Sequence, residues 1–169
     1  MSTGKAILGN LRADTALNEY RKLHWEGSFD DYLDIVVERP EVTRTAYQRL
    51  YDMIVTHGTE EVYENKEKIT RFKFFTEFAA RFGDSVYGLD RTLMSLVNTF
   101  KSAARGYGTE RRVLLLHGPV GSSKSTIARM LKRGLEVYSR QDDGMLFSYS
   151  WKNDDGSFTK CPMHEEPLH

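Results

Sequence analysis

HGPVGSSKST, residues 117–126, is the stretch on which the reading of this chain turns. It follows the short apolar run Val113-Leu114-Leu115-Leu116, bounded by Arg112 and Gly118, whose length and composition predict a strand buried on both faces. It precedes a helical pattern in which Ile127, Leu131, Leu135 and Tyr138 carry the apolar face and Gly144 makes the break. Residues 145–151 read as a second strand, and Asn153-Asp154-Asp155-Gly156 is turn chemistry that folds Phe158 and its neighbours back as a hairpin. Strand, glycine loop, helix and strand in that order make one βαβ unit, the framework that sets a loop at the carboxyl end of a parallel strand.

A loop in that place suits anion binding. Backbone N–H groups converging from a tight turn and from the first turn of a helix hold a triphosphate. Gly118 and Gly121 permit the tight path, because glycine reaches backbone angles that a side chain forbids. Lys124 is placed to reach the β- and γ-phosphates as a mobile point charge, and Ser125 to offer its hydroxyl to a magnesium ion bridging them. The usual pattern GxxxxGK[ST] has a second glycine where this chain has Ser123. With a negative φ that serine is harmless; with a left-handed one it stores about 1–3 kcal/mol of strain. The sequence leaves both open. A plain flexible turn would explain GPVGSS, but not the Lys-Ser pair that follows at the required place.

Upstream the texture is helical. From Leu11 to about His57 the chain is charged and periodic, and breaks at Gly27-Ser28 and Pro40 divide it into three expected helices. The clearest puts Val42, Ala46, Leu50, Met53 and Ile54 on one face. A polar link at residues 57–61 precedes ITRFKFFTEFAARFG, whose crowded aromatics do not settle helix against strand. Leu89, Leu93, Leu96, Val97, Phe100 and Ala104 then share a helix face, with Asp90 as the expected cap and Gly106 as the expected stop. The expected organisation is a helical region over residues 1–81 and a nucleotide-binding region over 82–169.

Composition narrows the function classes. The 169 residues carry 24 lysines and arginines against 24 aspartates and glutamates, so no overall field draws the protein to nucleic acid or to a membrane. No stretch resembles a secretory or membrane-spanning segment, and a cytoplasmic location is expected. Cys161, the single cysteine, excludes an internal disulfide. Cys161, His164 and His169 form a three-ligand array, one short of a closed structural zinc site, and read as plain loop. Phe72, Phe74, Phe75, Phe78 and Phe82 lack the basic groove that accompanies base stacking and are expected to pack in the core. Leu11-Arg12-Ala13-Asp14 has the wrong spacing for a eukaryotic kinase catalytic loop. No apolar strand ending in a carboxylate follows the phosphate loop, so the element that polarises water for hydrolysis is missing from this stretch.

With the loop, Tyr87-Gly88-Leu89-Asp90 and the helix behind it, the chain resembles the AAA-type P-loop ATPases. YGLDRTLMSLVNTFKSAARG, VLLLHGPVGSSKSTIARMLKRGLE and the ending CPMHEEPLH together resemble the amino-terminal portion of the PrkA family of bacterial serine protein kinases. The resemblance implies an α/β fold: an incomplete AAA-type P-loop core with parallel strands, preceded by a helical region. It implies ATP and Mg2+ as ligands, with Gly118, Pro119, Val120, Gly121, Ser122, Ser123, Lys124, Ser125 and Thr126 around the phosphates, Ser125 on the metal, and Tyr87 and Gly88 at the adenine. For the whole protein it implies phosphoryl transfer to serine of a protein substrate, or, through the AAA module, remodelling or proteolysis. Homo-oligomeric assembly stays open. Only 44 residues follow Ser125, so a fragment or a truncated product is expected. Two rivals compete: a nonenzymatic assembly module with an empty loop, and a small-molecule P-loop kinase, which the long lead-in disfavours.

Overall fold

The computed structural model describes residues 24–64, 66–84 and 86–168. The helix expected to begin near Leu11, the string at residues 11–14 and His169 lie outside the described residues. Packing divides the chain into two compact units, the second starting at Pro40. In the first, helix α1 (Phe29–Glu38) starts from a reciprocal cap. The Asp31 amide donates to Ser28 Oγ, and the Ser28 amide donates to the Asp31 carboxylate. Satisfying two otherwise orphaned N–H groups explains why the chain turns helical at the Gly27-Ser28 break.

In the second unit a 3₁₀ turn (Pro40–Thr43) leads into helix α2 (Ala46–Thr56), capped by Thr45 and Gln48 in the same reciprocal way. Val42 therefore belongs to the turn, not to the helix expected to include it, yet it is fully buried like Met53 and Ile54. Residues 57–61 are more than a polar link, because strand β1 (Thr59–Glu64) already begins there and pairs antiparallel with β2 (Glu67–Phe72). The aromatic stretch divides between forms. It is strand to Phe72, a 3₁₀ turn (Lys73–Phe75), then the one-turn helix α3 (Glu77–Ala80). Phe72, Phe74, Phe75 and Phe78 are buried in the core, as expected of them, while Phe82 is exposed.

Helix α4 (Asp90–Ala104) buries Leu93, Leu96, Val97, Phe100 and Ala103. Ala103 thus stands in the buried face in place of the expected Ala104. Asp90 does not cap: Leu89 holds that position, and the Asp90 carboxylate instead receives both ends of the Arg71 fork, at 2.9 and 2.8 Å. Gly106 does end the helix. Its φ is +70°, its amide donates to Ala103 O, and the Tyr107 amide reaches Ser102 O, the two bonds of a Schellman stop. Helix α5 (Lys124–Tyr138) packs against α2 and ends well before Gly144. Gly134 allows the close approach, because a Cβ there would lie 2.6 Å from Phe74 and 2.7 Å from Met53.

The parallel sheet is the expectation that the structure overturns. Among the described residues the sheets are two antiparallel pairs, β1 with β2 and, after α5, β3 (Ser150–Lys152) with β4 (Phe158–Lys160). The second is the hairpin read from Asn153 to Gly156, although its first strand is only the end of the expected 145–151. Residues 113–116 form no strand and are exposed, Val113 at 94% and Leu115 at 83%. A parallel strand is stable when neighbours pair both its edges and helices cover both its faces. Among the described residues no strand pairs with residues 113–116, so burial and ladder are lost together.

Candidate nucleotide-binding site

The loop enters α5 through two left-handed residues. Gly121 has φ +83° with open space around it, and Ser123, the residue before the first helical turn, has φ +58° and ψ +12°. The strained alternative for Ser123 is therefore the one realised. A non-glycine residue there costs about 1–2 kcal/mol, of which glycine's freedom in the unfolded chain would cancel roughly 0.5–1. Ser123→Gly is accordingly expected to stabilise the fold by about 0.5–1 kcal/mol, read as a raised urea midpoint at unchanged slope.

Between these residues the loop is tied to itself. The Ser122 amide and hydroxyl both donate to Pro119 O, at 3.3 and 2.8 Å. The Lys124 ammonium folds back over the loop and donates to Gly118 O at 2.9 Å, to Ser122 Oγ at 2.9 Å and to Pro119 O. A Cβ at Gly118 would stand 2.8 Å from Ser122 Oγ, so a side chain there would displace the hydroxyl that bonds Pro119 O and Lys124. Val120 forms the exposed crest. The α5 ladder opens with the Ile127 amide on Ser123 O, and no side chain caps the helix. The amides of Lys124, Ser125 and Thr126 therefore precede the first bond of the ladder. They point their partial positive charge out of the helix end, adding to the dipole of 15 aligned residues. Ser125 is exposed on that first turn, while Lys124 and Thr126 are half-buried.

Tyr87 and Gly88 lie three and four residues after Asp84, which meets α5. Tyr87 is 75% exposed and Gly88 has φ +72°, so the turn presents an aromatic ring to solvent. Asp84 and Val86, on the approach to this turn, are tied to other elements. The Val86 amide donates to Phe75 O, the Asp84 amide to Ala79 O, and the Asp84 carboxylate accepts a bidentate fork from Arg129 of α5, at 3.0 and 2.6 Å. Arg133, one turn further along, lies 3.9 Å from the same carboxylate and covers the Phe82 ring at 4.9 Å. Arg129 first, and the charge of both arginines, hold the Asp84 carboxyl below the usual carboxylate range. Sequence reading missed Asp84, Arg129 and Arg133. Their pairing spans 45 positions, and nothing local marks it.

Among the described residues no group of three side chains that could hold a metal ion occurs, and His169 of the Cys161 array lies outside them. Cys161 is buried, and hydrogen bonding from the Glu165 amide, then from the Met163 amide and Tyr149, draws its thiol below the ordinary range against the opposing effect of burial. Among the described residues no helix is long and apolar enough to cross a membrane.

The model of the PrkA AAA domain matches residues 27–169. The chain is 38% identical over 152 residues to the "ATP-dependent protease PrkA" of Bacillus subtilis (strain 168), which covers 89% of this chain and 21% of that protein. It is 36% identical over 69 residues to the "Serine/threonine kinase YeaG" of Escherichia coli (strain K12), covering 41% of this chain and 10% of that one. The chain thus spans about a fifth and a tenth of the length of these two relatives. No solved structure matches. A family match over most of the sequence and the similarity to PrkA of Bacillus subtilis lead to one conclusion: the chain belongs to the family defined by the PrkA AAA domain.

Proposed function

We propose that this chain binds Mg2+–ATP through residues 118–126, with Tyr87 and Gly88 at the base, and that in the longer protein this binding drives phosphoryl transfer to a protein serine. The observation that carries the reading is the Lys124 ammonium, already seated over the oxygens of its own loop at the amino end of α5. Phosphate oxygens are acceptors of the same kind with more charge, so they compete for that ammonium, while the amides of residues 124–126 receive the remaining oxygens. Ser125 fits a hard cation through its exposed hydroxyl, as one ligand of a shell otherwise made by phosphate and water. Magnesium, when bound, neutralises charge that develops between the phosphates. The division into an amino-terminal region (1–81), expected to be helical but carrying the β1–β2 pair, and a nucleotide region (82–169) belongs to the same proposal.

Lys124→Ala removes a charged hydrogen-bond donor worth roughly 1.5–3 kcal/mol and is expected to weaken Mg2+–ATP binding by more than about tenfold. Calorimetric titration checks this, and equal affinities would overturn the site. A second reading has its own support, since the relative that matches most of this chain is named an ATP-dependent protease. In that case ATP drives peptide cleavage rather than serving as phosphoryl donor. Incubating the full-length protein with γ-labelled ATP and an unstructured serine-containing protein separates the two: label on serine supports the first, ATP-dependent fragments without label the second.

A further inference from the structure

We propose that Asp84 is a positioning residue: gripping Arg129, it sets the turn of Tyr87 and Gly88 at a fixed distance from the phosphate loop. This rests on the nucleotide reading above and adds what distinguishes a nucleoside triphosphate from a bare polyphosphate. Lys124 and Arg129 stand on the same rigid helix, five residues apart, so about 7.5 Å separates them along its axis. Tyr87 stands three residues after Asp84, which limits its reach from the clamp to about 11 Å. The carboxylate is only 14% exposed and meets Arg129 in fork geometry, with Arg133 behind it and stacked on Phe82. The main-chain bond from the Val86 amide to Phe75 O fixes the other side of the same root. A root held from two sides below an exposed ring suits a platform that must meet a ligand already anchored elsewhere.

Phosphate binding at residues 118–126 uses none of these groups. Loosening the clamp should therefore weaken ligands that carry a base and spare those that do not. The test is calorimetric titration of the chain with Mg2+–ATP and with Mg2+–tripolyphosphate, for wild type, Asp84→Asn and Arg129→Met, with thermal unfolding run beside it. Arg129 is half-exposed, so its replacement keeps the test open should Asp84→Asn fold poorly. Each variant is expected to raise the Kd for ATP about fivefold while that for tripolyphosphate stays within about twofold. Equal weakening of both ligands, or no change in either, would overturn the clamp. Wild type binding neither ligand would overturn the phosphate-loop reading and this inference with it. ATP binding that is lost in Lys124→Ala but untouched in Asp84→Asn overturns the clamp alone.

Discussion

Replacing Arg49 by methionine is expected to lower the unfolding free energy by about 3 kcal/mol. Arg49 is only 6% exposed. Its Nε donates to Arg44 O and its Nη1 to Gly144 O, each at 3.0 Å, and its Nη2 donates to Val42 O. One side chain thus ties the entry to α2, the 3₁₀ turn before it and the turn after α5. Methionine fills much of the volume but donates nothing, leaving three carbonyls to find water or go unpaired; each unpaired buried acceptor costs roughly 1–3 kcal/mol. Arg49→Lys keeps the charge, but a single ammonium cannot reproduce the fork, so only part of the loss returns. Chemical denaturation reads the effect as a lower midpoint at the same slope. A variant as stable as wild type would show that those carbonyls are satisfied by other means.

Gly144→Ala is expected to cost a similar amount, about 3 kcal/mol, at the upper end of overpacking effects. A Cβ built at Gly144 lies 2.0 Å from Tyr138 O and 2.6 Å from the carbon of the same carbonyl. These are backbone atoms at the last turn of α5, so no rotamer change relieves the clash. Either the helix end or the 3₁₀ turn Asp142–Gly144 must move, and with it the carbonyl that Arg49 holds. Because both substitutions strike one bond, the double variant should lose less than the two single losses added together. Strict additivity in a double-mutant cycle would contradict the coupling.

What could be read from the sequence follows the range of the forces involved. The cap at Ser28, the stop at Gly106, the hairpin turn at residues 153–156 and the periodicity of α4 and α5 are local, and residues within a few positions decide them. The proposed phosphate site at residues 117–126 has the same local basis, its chemistry being packed into ten consecutive residues. Ser123 marks the limit of that reading: the sequence named the two backbone states and the structure chose the left-handed one. Sheets depend on partners far along the chain. Residues 113–116 have the composition of a central strand but, among the described residues, no neighbour to pair with. β1 escaped notice because Thr59-Glu60-Glu61 looks like a polar loop; its strand character comes from pairing with β2, where Lys68 and Arg71 meet Glu61 and Glu60.

The posture of Lys124 bears on how a nucleotide would enter. An ammonium left bare in a half-buried loop would be costly, and this one is not bare: the loop's own oxygens serve as resident stand-ins for the guest. Occupation is then a swap of one oxygen set for another, so the net gain is a difference and affinity rests heavily on the charge that the newcomer carries. A dianionic tail outcompetes neutral carbonyls, whereas a neutral ligand of the same shape would leave the lysine where it lies.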